Sequence, residues 1–149
     1  MVLKPGTDVP SIRALNQHGE PVQPEFGHPT VLYFYPQDET PGCTTEATQF
    51  DAHAERFGAG VRVYGVSTDV VECHRVFADA NDISFDLLAD PDAKLCDAFD
   101  VPLVDGRSQR TTYIIAQGRV VGVYERVAPD GHAASVFDDL VDTGLVAAD

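Results

Sequence analysis

Thr30-Val31-Leu32-Tyr33-Phe34-Tyr35 is β-branched, aromatic and almost free of polar side chains. A strand with one solvated face would alternate apolar and polar residues. This one does not, so both of its faces must be covered, and it belongs in the middle of a sheet. Pro36 has no N–H to offer a neighbouring strand and ends the run. Beyond it the period changes. Thr44-Thr45-Glu46-Ala47 leads into Phe50, Ala54 and Phe57, an apolar stripe at helical spacing that stops at Gly58. The spacing predicts a helix from about Thr44 to Phe57, with Cys43 in its first turn, at a strand-to-helix corner. Unpaired backbone N–H groups and the positive end of the helix dipole favour a thiolate there, and the thiolate is the reactive form of cysteine.

The remainder of the chain keeps alternating. Ser11 to Leu15 and the stretch around Val22 read as a short N-terminal hairpin turning at His18-Gly19-Glu20. Val61 to Val66 is a second core strand. Ser67-Thr68-Asp69 offers N-cap chemistry for a helix whose buried stripe is read as Val70, Cys73 and Phe77. Phe85 to Leu88 is a short strand, and Asp90-Pro91-Asp92 opens a helix running through Leu95 and Phe99. Thr111 to Ala116 and Arg119 to Tyr124 flank Gln117-Gly118, a tight hairpin turn. A last helix covers about Gly131 to Val141. This order predicts one α/β domain over residues 1–149, a mixed sheet with helices on both faces. In such sheets ligands meet the carboxyl ends of strands, where Pro36 and Ser67 lie.

The formal net charge is -14, with only Lys4 and Lys94 as lysines beside eight arginines. So many carboxylates repel one another at low ionic strength, whereas molar salt shortens the screening length to ~3 Å. The composition therefore predicts adaptation to a salty cytoplasm. It also excludes nucleic acid and anionic membrane as partners. No apolar stretch approaches the ~20 residues of a membrane span, and no secretion-type leader is visible, so a cytoplasmic protein is expected. Three cysteines, an odd number, argue for reactive or buried thiols rather than a disulfide framework. The histidines His18, His28, His53 and His74 lack ligand spacing, so no metal is expected.

Pro36-x-x-x-Thr40-x-x-Cys43 resembles the active-site signature of the peroxiredoxins. With Tyr33-Phe34-Tyr35-Pro36 and Thr40-Pro41-Gly42-Cys43-Thr44-Thr45-Glu46, the chain looks most like the peroxiredoxin Q, or bacterioferritin comigratory protein, branch. Lys4-Pro5-Gly6, Gly65-Val66-Ser67, Leu88-Ala89-Asp90 and Arg110-Thr111-Thr112-Tyr113-Ile114-Ile115 fall in matching order, so the resemblance spans nearly the whole chain. It implies a thioredoxin-like fold and a peroxidase working through sulfur, without cofactor or metal. Its substrates would be hydrogen peroxide and organic hydroperoxides. Cys43 would attack the peroxide and become a sulfenic acid. Arg110 would stabilise the thiolate and donate to peroxide, Thr40 would offer its hydroxyl, and Pro36 would shield the sulfur. Backbone N–H groups at Gly42 and Cys43 would add donors, and Glu46 would either orient Arg110 or favour the first helical turn.

The chain departs from many of these relatives where the sulfenic acid is resolved. Thr48 stands where some carry a second cysteine, and Cys73 lies about five residues upstream of the other usual position, at Ala78. Five residues turn a helix by ~140°, so Cys73 would face elsewhere. Cys73 and Cys96 both read as core residues. Either an external thiol, thioredoxin-like or of low molecular weight, reduces Cys43, or an internal disulfide forms with Cys73 or Cys96 after local unfolding. The protein is expected as a monomer or homodimer. A thioredoxin-type oxidoreductase would carry a cysteine where Glu46 stands. A redox sensor or holdase using Cys43 is the competing reading, distinguished by whether peroxide is turned over repeatedly.

Overall fold

The computed structural model describes residues 3–37, 41–57, 61–125 and 131–142. The N-terminal hairpin, β1 (Ala14–Leu15) and β2 (Pro21–Val22), precedes β3 (Thr30–Phe34), α1 (Pro41–Phe57), β4 (Arg62–Ser67), α2 (Val71–Asn81) and β5 (Asp86–Ala89). There follow α3 (Lys94–Ala98), β6 (Leu103–Val104), β7 (Arg107–Ser108), β8 (Thr111–Ala116), β9 (Arg119–Glu125) and α4 (His132–Asp142). Seven strands form one mixed sheet in the order β2-β1-β5-β4-β3-β8-β9, with β3, β4 and β5 parallel and β8 antiparallel to β3. This is a thioredoxin-like arrangement with an N-terminal hairpin extension.

The unbroken apolar run in β3 is explained by its place: every residue of the strand is buried. Alternate side chains go to opposite faces. Val31 and Tyr33, with Tyr35 just beyond, pack under α1, α2 and α4 through Ala47, Phe50, Phe77, Val136, Phe137 and Leu140. Leu32 and Phe34 face α3 and the N-terminal segment, among Tyr64, Leu88, Leu95, Phe99 and Tyr113. The first face is tight. The Tyr33 and Phe50 rings stack with centroids 4.6 Å apart, and a Cβ on Gly65 would lie 2.9 Å from both Leu87 Cδ2 and the Tyr33 ring. No helix among the described residues is long and apolar enough to cross a membrane.

Three sequence expectations need correction. The helix after β4 starts at Val71 behind an uncapped Val70, because Ser67 and Asp69 bond each other (Ser67 Oγ to Asp69 Oδ2, 2.8 Å) and close a turn instead. Its buried face is His74, Phe77 and Ala78, while Val70 and Cys73 are exposed. A histidine can occupy that face because both ring nitrogens find partners: Nδ1 meets the Tyr35 hydroxyl at 3.3 Å and Nε2 the Leu88 carbonyl at 3.1 Å. Pro91 lies in a turn rather than a helix. The Asp90 carboxylate reaches forward to accept from the Leu95 and Cys96 N–H groups at 3.0 and 3.1 Å, so α3 begins only at Lys94. Finally, β6 and β7 form a separate two-stranded hairpin that the apolar pattern does not reveal. Its signal is Asp105-Gly106, both at positive φ, the chemistry of a two-residue hairpin turn.

Candidate active site

Cys43 is the third residue of α1, as its sequence position suggests. Cys43, Glu46, Ala47 and Phe50 follow the i, i+3, i+4, i+7 pattern and are all buried, so one helix face carries both the sulfur and the carboxylate towards the sheet. The partner arrives from β8. Thr111 pairs with Phe34 in antiparallel register, which sets Arg110 beside the Tyr35-Pro36 end of β3. Strand alternation puts Arg110 on the same side as Thr112 and Ile114, the side covered by α1 and α4.

The three side chains meet there. Arg110 Nη2 donates to Cys43 Sγ at 3.2 Å, and Arg110 Nη1 donates to Glu46 Oε1 at 2.7 Å. One planar fork thus spans a sulfur and a carboxylate, with a separate nitrogen directed at each. Glu46 is fully buried and Arg110 is 17% exposed. Burial pushes the Glu46 carboxyl up to about 7, with the Arg110 charge and hydrogen bond opposing the shift. Cys43 is 1% exposed and packs among core residues. The guanidinium that donates to it is its partly exposed neighbour. Beside Arg110 lies a groove of about 410 Å³ with Pro36, Val104 and Arg107 in its walls. Thr40 lies outside the described residues. Gly42 is the second residue of the helix, next to Cys43.

The other two cysteines stand apart. Cys73 is on the outward side of α2, contrary to its reading as a core residue. Cys96 is buried on the opposite face of the sheet, 3.1 Å from Ser108 Oγ, and burial pushes its thiol up to about 12. Sequence reasoning missed two contributors. His132 opens α4 beneath Arg110's strand, bonded to Thr112 Oγ1 at 2.8 Å and edge-on to Phe50. Burial, with the nearby Arg110 charge, lowers it to about 4, so it is a neutral clamp between α4 and β8. Nothing in the sequence marks it. The β6-β7 hairpin, which supplies the wall of the groove, was findable from Asp105-Gly106.

Comparison with known proteins finds relatives over most of the chain. The AhpC/TSA family model matches residues 5–123. Peroxiredoxin Bcp of Xanthomonas campestris pv. campestris is 40% identical over 120 residues, covering 74% of this chain and 75% of that protein. Peroxiredoxin Bcp of Bacillus subtilis is 35% identical over 153 residues, covering 95% and 98%. Among solved structures, a cysteine-to-serine mutant of Xylella fastidiosa PrxQ superposes with a TM-score of 0.90 at 28% identity, covering 97% of this chain and 99% of that one.

Proposed function

From the premise that the chain belongs to the AhpC/TSA family and is a thiol-dependent peroxidase, we propose that Cys43 is its peroxide-reducing sulfur. The Cys43 thiolate attacks one oxygen of a hydroperoxide, the O–O bond breaks, and a proton joins the departing oxygen. Hydrogen peroxide yields water and an organic hydroperoxide yields an alcohol, with a sulfenic acid left on Cys43. The observation carrying this reading is the Arg110 fork at 3.2 Å from Sγ and 2.7 Å from Glu46. Its charge stays fixed at any working pH and faces the line along which negative charge moves from sulfur to oxygen. Glu46 is the positioning residue that holds the fork. Pro36 closes the sulfur from bulk water, and Thr40 and the Gly42 and Cys43 N–H groups complete the donor set.

An external thiol, thioredoxin-like or small, regenerates Cys43. The sheet separates it from Cys96, and Cys73 points outward, so either internal disulfide would need local unfolding to come within the ~7 Å Cα limit. Three unpaired thiols suit a reducing compartment, and the site of action we favour is the cytoplasm. Organic hydroperoxides are included because one wall of the groove, at Pro36 and Val104, is apolar. The charge of -14 supports a fold stabilised by salt, with a Tm that climbs between dilute and molar KCl; a flat response would leave the acidity as a solubility device. Cys43→Ser, compared with Cys73→Ser and Cys96→Ser, tests the main assignment. Steady-state turnover of peroxide with a recycling thiol is lost only in the first variant; survival of turnover there refutes the assignment. A protein that consumes one equivalent and stops would instead be a sensor.

A further inference from the structure

The groove beside Arg110 is larger than hydrogen peroxide needs. It measures about 410 Å³, against roughly 30 Å³ for a water molecule's share of liquid, and it falls within the range of sites for organic ligands. One wall is apolar, formed by Pro36 and by Val104, which is 59% exposed. The other carries Arg107. Arg110 is committed to Glu46 and Cys43, but the Arg107 guanidinium makes no ion pair or side-chain hydrogen bond among the described residues. An uncommitted cation in the wall of a cavity, in a chain of net charge -14, runs against the field of the whole molecule. Asp105 shares the rim, so an anion is attracted at the Arg107 end only.

A second observation concerns what must enter. Once Cys43 is oxidised, neither Cys96, across the sheet, nor Cys73, on the outer side of α2, lies beside it. Reducing equivalents therefore arrive from outside, and among the described residues the groove at Pro36 and Arg110 borders the guanidinium that holds Cys43. We infer that this groove seats a small thiol bearing a carboxylate, the carboxylate on Arg107, the aliphatic stem along Val104 and Pro36, and the sulfur directed at Cys43. The inference rests on the reading of Cys43 as the peroxide-reducing sulfur. In the first step the thiol sulfur bonds to the Cys43 sulfur, the S–O bond breaks, and the hydroxyl leaves as water. A second thiol attacks the outer sulfur of this mixed disulfide, releasing a small-molecule disulfide and returning Cys43 as a thiol. Two thiols thus supply the two electrons that the peroxide took.

Two thiols of similar length and opposite charge, 3-mercaptopropionate and cysteamine, test this at fixed ionic strength. The protein is first oxidised with one equivalent of hydrogen peroxide, and the burst confirms the sulfenic acid. The rate of its reduction by each thiol is then measured in the wild type, in Arg107→Gln and in Asp105→Asn. Comparing the anionic-to-cationic rate ratio between proteins cancels the intrinsic reactivity of the thiols. The ratio is expected to fall about twofold to fivefold in Arg107→Gln, as for a solvent-reached ion pair, and to rise in Asp105→Asn. A ratio unchanged by Arg107→Gln overturns the seat while leaving Cys43 standing. Absence of the initial burst overturns both.

Discussion

Replacing Arg110 with alanine separates two ways in which a cation can help a sulfur react. If Arg110 served only to ionise Cys43, its value would be small. An ordinary thiol with a pKa of roughly 8.5 is a few per cent ionised at neutral pH, so full ionisation gains ~30-fold at most. A Brønsted slope of about 0.4 to 0.5 returns most of that as lost nucleophilicity, leaving a net gain of roughly threefold. Donation to the breaking O–O bond is worth far more. Loss of one preorganised donor in a dry site lowers rate by about 10² to 10³, and the 3.2 Å approach of Nη2 to Sγ in a buried setting places such a donor at the reacting atom. Arg110→Ala should therefore lower the single-turnover rate of Cys43 oxidation by roughly 10³ at neutral pH, the product of the two effects. Rapid mixing with peroxide, quenching with an alkylating agent and weighing the protein gives that rate. Repeating it at a pH where the thiol is ionised in both proteins removes the first effect and should leave a deficit of about 10² or more. Recovery of the wild-type rate at alkaline pH would refute the donor role.

Glu46 should make stability depend on pH in an identifiable direction. Its folded value of about 7 stands above the 4.5 of an unperturbed carboxyl. Between those values the native state holds a proton that the unfolded chain has released, so the stability it contributes is full below about 4.5 and is lost as pH rises towards 7. The loss is on the order of 3 kcal/mol. Denaturant titrations of wild type and Glu46→Gln at pH 4.5 and 8 should show the difference moving in favour of glutamine by that order; a difference constant with pH would place the buried charge elsewhere. Gly65→Ala should destabilise by about 1 to 3 kcal/mol, because the new methyl meets Leu87 and the Tyr33 ring at 2.9 Å in a packed core. Thermal unfolding checks this, and a neutral result would mean that the Tyr33–Phe50 stack yields easily.

Much of the fold was legible because periodicity and burial coincide. The apolar run of β3 announced a strand covered on both sides, and Phe50, the first residue of the predicted helical stripe, is buried, while the side chains of Ala54 and Phe57 lie outside the described set. Legibility failed where polar groups find partners that no local pattern shows. His74 is buried because a tyrosine from β3 and a carbonyl from β5 satisfy its ring, which turns Cys73 out to solvent. Asp90 caps α3 from beyond Pro91, so a sequence that looks like a helix start is the loop before one. At the site, Cys43, Glu46 and Arg110 were named from the sequence, but their contact depends on the Phe34–Thr111 register, a long-range pairing. The resemblance to peroxiredoxins supplied Arg110; composition and spacing alone offered a surface arginine. His132 was silent, since one imidazole opening a helix has no spacing to read.

The most direct test is to give the protein one equivalent of hydrogen peroxide with a sulfenic-acid trap present, and to map the adduct by mass spectrometry while following peroxide loss. The trap should sit on Cys43, with an amount matching the peroxide consumed and no two-hydrogen loss linking Cys43 to another cysteine. Peroxide that disappears while Cys43 stays unmodified, or is found joined to Cys73 or Cys96, would contradict a lone sulfur worked by the Arg110 fork.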